Sequence, residues 1–150
     1  MTVRLATIED ILPIAEMELE YVQEKVGDDF TLQQALTYIL TEVSKPTCKI
    51  LLADDYQGFS LTYITKIRWY GPLVMVLDHT YIRPEYRSIK TQNECLDAVK
   101  VLATDMGCTK IATLWHPIDE VERVDKAMQR KGWARSGAYY EINLGEQQCQ

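Results

Sequence analysis

The sequence predicts an α/β layer fold, and three observations carry that prediction. Short runs rich in β-branched and aromatic residues alternate with longer runs whose apolar residues recur every three or four positions. In chain order these segments read β-α-α-β-β-β-α-β-α-β, an order that lays helices on a sheet. The 150 residues, 47% hydrophobic and 25% charged, suit a single domain over residues 1–150 with a real core.

Val3–Leu5 reads as a short first strand. Thr7 can cap the helix that follows, with Glu9 and Asp10 in its positive first turn. Ile11, Ile14, Ala15, Glu18, Leu19 and Val22 keep helical spacing, which buries one face except at Glu18. Gly27-Asp28-Asp29 breaks that pattern. A second helix runs from Leu32 to Val43, with Leu32, Ala35, Leu36, Ile39 and Leu40 on one side. Lys49–Ala53 is an apolar strand closed by Asp54-Asp55-Tyr56-Gln57-Gly58. Phe59–Trp69 is the next strand, and Tyr70-Gly71-Pro72 turns it back. Leu73–Ile82 is apolar until Asp78-His79, as a central strand buried on both faces would be.

That strand runs into Pro84-Glu85-Tyr86-Arg87, and a helix from Thr91 to Met106 follows, ended by Gly107. A turn and a helix N-terminus thereby aim unbonded N–H groups at one spot, the arrangement with which proteins hold a pyrophosphate. Lys110–Trp115 is a strand. A capping-box pattern at Asp119–Glu122 opens a helix that reaches Lys131, where Gly132 stops it. Tyr139–Leu144 is a last strand, and residues 145–150 form a polar tail.

Sixteen basic and twenty-two acidic residues leave a net charge of −6. Such a surface disfavours nucleic acid and anionic membrane and favours a cationic partner, such as an amine, a polyamine or a lysine-rich tail. The opening residues mix charge and polarity, unlike a secretory segment, and the run Trp69–Leu77 is too short to span a bilayer. Cytoplasm is the expected compartment. Cys48, Cys95, Cys108 and Cys149 are scattered, without metal-ligand spacing, so they are expected to be reduced thiols with no zinc.

Four phrases in this order resemble the GNAT family of acetyl-CoA-dependent N-acetyltransferases. They are Arg4-Leu5-Ala6-Thr7-x-Glu9-Asp10-Ile11, Leu51-Leu52-Ala53-Asp54-Asp55-x-x-Gly58-Phe59, Tyr81-Ile82-x-Pro84-Glu85-Tyr86-Arg87 and Lys131-Gly132-Trp133. The resemblance covers essentially the whole chain. It implies a central mixed, mostly antiparallel sheet with splayed strands 4 and 5, flanked by helices. It also implies acetyl-CoA as co-substrate in the splay. In that reading the pantetheine arm pairs with backbone near Thr80–Arg83, through Ile82 and Arg83. The pyrophosphate sits on N–H groups of Arg87, Ser88, Ile89, Lys90, Thr91 and Gln92.

Two departures stand out. Lys90 and Gln92 occupy positions where the family's phosphate loop has small residues, although Arg83, Arg87 and Lys90 make the loop locally basic and favour an anion. Met128 stands where family members often carry a tyrosine acid. Strand alternation puts Val76, Asp78, Thr80 and Ile82 on one face, and Asp78 is the titratable group among them. The resemblance implies a base projecting from the fourth strand toward the splay, which makes Asp78 the candidate, and a turn cap or lysine partner is its plain structural alternative. His79, pointing to the other face, reads as a satisfied core histidine. Trp69, Tyr70 and His116 are candidates for binding the acceptor, whereas Tyr63 reads as sheet packing. Glu16, Glu20 and Glu24 read as a solvated, mutually repelling helix face.

The leading reading is direct acetyl transfer to the primary amine of a small molecule or protein. Its rivals are a non-catalytic binding or structural protein of the same fold, of a phage type and with a protein partner, and an acyl-CoA sensor. A homodimer through an edge strand fits any of them.

Overall fold

This computed structural model describes residues 2–27, 29–66, 71–113, 129, 130 and 132. The chain divides into two compact units, Met1–Leu114 and Trp115–Gln150. In the second, residues 129 and 130 are helical and Gly132 takes a φ of +81°, its N–H bonded to Gln129 O, as a helix stop requires. The predicted last strand lies outside the described residues.

The first unit holds a five-stranded sheet in the order β1-β2-β3-β4-β5. Its strands are β1 (Val3–Leu5), β2 (Cys48–Ala53), β3 (Gly58–Lys66), β4 (Leu73–Ile82) and β5 (Lys110–Thr113). The first four run antiparallel and β5 lies parallel to β4, giving the mixed, mostly antiparallel sheet expected. Helices α1 (Ile11–Val26) and α2 (Leu32–Val43) precede β2, and α3 (Ile89–Asp105) joins β4 to β5. A 3-10 turn, Ile8–Asp10, leads into α1. Asp10 anchors it, accepting two bonds from the Arg4 guanidinium at 2.7 and 2.8 Å and one from Thr7 N–H at 2.7 Å.

Alternation sorts the sheet residues between two layers of helix. Cys48, Ile50, Leu52, Phe59, Leu61 and Tyr81 pack with Ile11, Ile14, Ala15 and Met17 of α1 and Ala35 and Ile39 of α2. Leu51 and Thr62, one step along their strands, face the other way, toward the layer built by Cys95, Leu96, Val99, Leu102 and Ala103 of α3. Thr62 stays buried there because its hydroxyl donates to Lys49 O at 2.8 Å, and Ser60 pairs with Thr80 at 2.9 Å. Gly58 is obligatory where β3 meets the end of β4, since a Cβ there would lie 2.4 Å from Tyr81 O.

The alternation fails at one place. Thr62 pairs with Leu77 and Leu61 pairs with His79, so Asp78 is an extra residue in β4 with no counterpart in β3. This is a β-bulge, and it corrects the expectation that Val76, Asp78, Thr80 and Ile82 share a face. Leu77 and His79, two apart, now lie on opposite faces. Among the described residues, Lys110–Thr113 of β5 pair with Val74–Leu77 of β4.

Candidate functional site

The bulge gathers a polar cluster at the middle of β4. Adjacent strand residues ordinarily point to opposite faces, yet His79 Nδ1 lies 2.9 Å from Asp78 Oδ2. On its other side, His79 Nε2 lies 2.9 Å from Glu18 Oε2 of α1. An imidazole with a carboxylate at each nitrogen bonds both only by donating from both, which makes it an imidazolium. Burial opposes that charge, but the hydrogen bonds to Asp78 and Glu18 outweigh it and raise the imidazole to about 9. Tyr21 stacks on the ring at 4.7 Å between centroids, and Phe59 meets it edge-on at 5.4 Å. The side chain of Glu18 is 6% exposed and that of His79 11%, while Asp78 is 36% exposed.

His79 is therefore the satisfied core histidine expected, but it shares a face with Asp78. Glu18, at a position the helical pattern buries, is itself buried, and His79 is what permits it. The sequence held that signal: a carboxylate on an apolar stripe demands a partner. A second buried carboxylate, Glu42 of α2, accepts from Tyr63 Oη and from Lys45 Nζ at 2.7 Å. Burial raises Glu42, and the bonds from Lys45 and Tyr63 more than reverse this, keeping it below the ordinary range. Tyr63 thus does more than pack in the sheet.

The turn after β4 differs from expectation in its charge. Arg83 donates to Glu20 from Nε at 3.1 Å and from Nη2 at 2.8 Å, and Tyr81 Oη joins the same carboxylate at 3.1 Å. Arg87 donates through both terminal nitrogens to Glu24 and from Nε to Ile82 O at 2.7 Å. Glu20 and Glu24 are thus not merely a solvated face of repelling charges; the turn supplies their counterions. Among the described residues, Arg83, Arg87 and Lys90 of the loop stand beside Glu20, Glu24, Glu85 and Glu94.

The main chain is also partly committed. Arg83 N–H goes to Gln57 O at 2.9 Å, and Ile82 O accepts from Arg87 Nε at 2.7 Å, which leaves that carbonyl a second lone pair. Helix α3 starts at Ile89 rather than Thr91 because Ser88 caps it, accepting from Thr91 N–H at 3.0 Å. Gln92 N–H bonds Ser88 O at 3.0 Å and Arg87 N–H bonds Pro84 O at 3.3 Å. The first-turn donors that the helix does not use are those of Ser88, Ile89 and Lys90.

Whole-fold comparison places this geometry among known structures. The chain superposes on a probable acetyltransferase with a TM-score of 0.79 at 18% identity, over 97% of this chain and 99% of that one. The GNAT fold is the fold of this chain. It likewise matches the ribosomal-protein-alanine N-acetyltransferase of Brucella melitensis biovar Abortus 2308, with a TM-score of 0.74 at 18% identity over 96% and 100% of the two chains. An aminoglycoside N-acetyltransferase in complex with CoA gives 0.73 at 15% over 96% and 94%. No protein-family model and no curated protein matches the sequence.

The turn and the start of α3 could hold an anion through backbone N–H groups rather than through Arg83 and Arg87, which are paired with Glu20 and Glu24. The positive end of a 17-residue helix offers three N–H groups, and Lys90, 83% exposed, extends into solvent. Among the described residues no group of three metal-ligating side chains forms, and no helix is long and apolar enough to cross a membrane. Trp69, Tyr70, His116 and Met128 lie outside the described residues. Cys48 and Cys95 are buried free thiols, each pushed up to about 11 by burial.

Proposed function

We propose that this chain is an acetyl-CoA-dependent N-acetyltransferase that transfers acetyl directly to a primary amine in the cytoplasm. The observation that carries the reading is the β4 bulge, which sets the Asp78 carboxylate against the His79 imidazole in mid-strand, within a fold shared over its length with acetyltransferases. Acetyl-CoA, when bound, supplies the acetyl group as a thioester. The N–H groups of Ser88, Ile89 and Lys90 hold the diphosphate end against the α3 N-terminus. Asp78 takes a proton from the incoming ammonium, leaving a neutral nitrogen able to attack. The acceptor is a small-molecule or protein amine, in keeping with a net charge of −6.

One observation favours a second reading, a binding protein of the same fold without turnover. Among the described residues, four carboxylates stand around the turn with three cations, and Lys90 and Gln92 take places where the resemblance implies small residues. Calorimetric titration with acetyl-CoA and with CoA separates the two. Micromolar binding followed by turnover of an amine is expected, with Asp78→Asn lowering kcat about a hundredfold and leaving cofactor affinity intact. No heat at millimolar acetyl-CoA would sink the transferase and turn the search to a protein partner.

A further inference from the structure

The cluster behind Asp78 is built more elaborately than a strand interior needs. Two carboxylates and an imidazolium are aligned across α1 and β4, and Glu18 is buried to reach His79. Burying a carboxylate costs several kcal/mol unless it is paired, and an apolar residue at Glu18 would fill the stripe without that cost. The ring is also clamped on its faces, by Tyr21 stacked against it and Phe59 at its edge. It can neither flip nor tilt without breaking a contact on some side. The bulge then brings the Asp78 carboxylate to the near nitrogen of a ring that cannot turn.

We propose that His79 and Glu18 are positioning residues for Asp78: Glu18 orients the imidazole through Nε2–H, and Nδ1–H fixes the Asp78 carboxylate at the β4 bulge. The inference rests on the transferase reading. Its chemical sense is geometric: the clamped ring and its Nδ1–H hold the Asp78 carboxylate in one orientation. Proton transfer balances simply: the ammonium N–H bond breaks, an O–H bond forms on Asp78, and His79 keeps both its protons. Among the described residues, further titratable groups that act on or with Asp78 include Tyr21 of α1, Tyr38 and Glu42 of α2 and Cys48 of β2, with Lys45 paired to Glu42.

Side-chain length discriminates positioning from packing. In His79→Asn the amide nitrogen falls near the place of Nδ1 and still donates to Asp78. In His79→Gln it falls near Nε2 and serves Glu18 instead. The assay is steady-state acetylation of an amine panel across pH, with imidazole NMR alongside. Expected is a loss in kcat of ten- to a hundredfold for His79→Gln, as for a catalytic group displaced by about 1 Å. His79→Asn should recover much of it, with the KM for acetyl-CoA unchanged in both. Glu18→Gln, nearly isosteric, should shift the pH–rate limb, and Asp78→Asn should move the Nδ1 resonance of the intact imidazole.

If the wild type turns over and both His79 variants keep kcat within about twofold, or lose it equally with an unmoved pH limb, the positioning role is overturned and the transferase stands. Wild type that acetylates nothing overturns the transferase reading, and the positioning role with it.

Discussion

Folding stability should fall as pH rises through the weakly alkaline range because of His79. The imidazole is raised from an ordinary 6.5 to about 9 in the folded protein. A group whose folded value lies above its unfolded one contributes fully below pH 6.5 and loses that contribution as pH rises through about 9. At 1.36 kcal/mol per pKa unit this amounts to about 3 kcal/mol, falling by about 1.4 kcal/mol for each pH unit inside the window. Against a total stability of about 5–15 kcal/mol for a domain this is a large share.

Urea unfolding from about pH 6 to about pH 10 measures it, with His79→Gln in parallel to subtract lysine and tyrosine titration. The wild-type advantage should be greatest at the acid end and shrink steadily toward pH 9. The chain has 2 histidines, so imidazole NMR reads the titration directly. Parallel pH profiles for the two proteins, or a buried imidazole titrating at its ordinary value, would refute the assignment of a doubly donating imidazolium.

Three further outcomes are expected. Gly58→Ala should cost about 1–3 kcal/mol by thermal or urea unfolding, because its Cβ would meet Tyr81 O at 2.4 Å and force β3 from β4; a neutral result would contradict that close approach. Asp10→Asn should cost about 2–3 kcal/mol, since Arg4 and Thr7 lose a charged acceptor. The Arg4 guanidinium holds Asp10 well below the usual carboxylate range, so its contribution is present at neutral pH and lost as acid protonates it; an Asn variant showing the same acid loss as wild type would argue against the pair. The double change Glu20→Gln and Glu24→Gln frees Arg83 and Arg87 and should tighten CoA binding about tenfold at low salt, less at high salt. Unchanged calorimetric affinity would mean the two arginines do not act at the phosphate turn.

The bounds of α2 and β4 were legible because each sits between unambiguous signals: Thr31 ahead of a 3.6-residue repeat, and Pro72 and Pro84 around a continuous apolar run. The start of α3 was less so, since Ser88 and Thr91 are both good caps and only the bond from Thr91 N–H to Ser88 Oγ chooses between them. Asp78 stood out in the sequence as a titratable residue of β4, though the face assigned to it was wrong. One extra residue in β4 shifts every side chain beyond it, and nothing in the local sequence announces a bulge whose cause is register with β3.

Sequence by itself determined the element order as far as β5, and the presence of Asp78, Glu18 and the arginine-rich turn, because periodicity and capping act over a few residues. Tertiary structure alone decided which charges meet. Glu18, Glu20 and Glu24 lie some sixty residues from His79, Arg83 and Arg87 along the chain, and only the packing of α1 across the end of β4 brings each carboxylate to its cation. Coulomb attraction and hydrogen bonding fall off within a few ångströms, so a charge's role is fixed by the neighbour that folding supplies, not by the residues beside it in sequence.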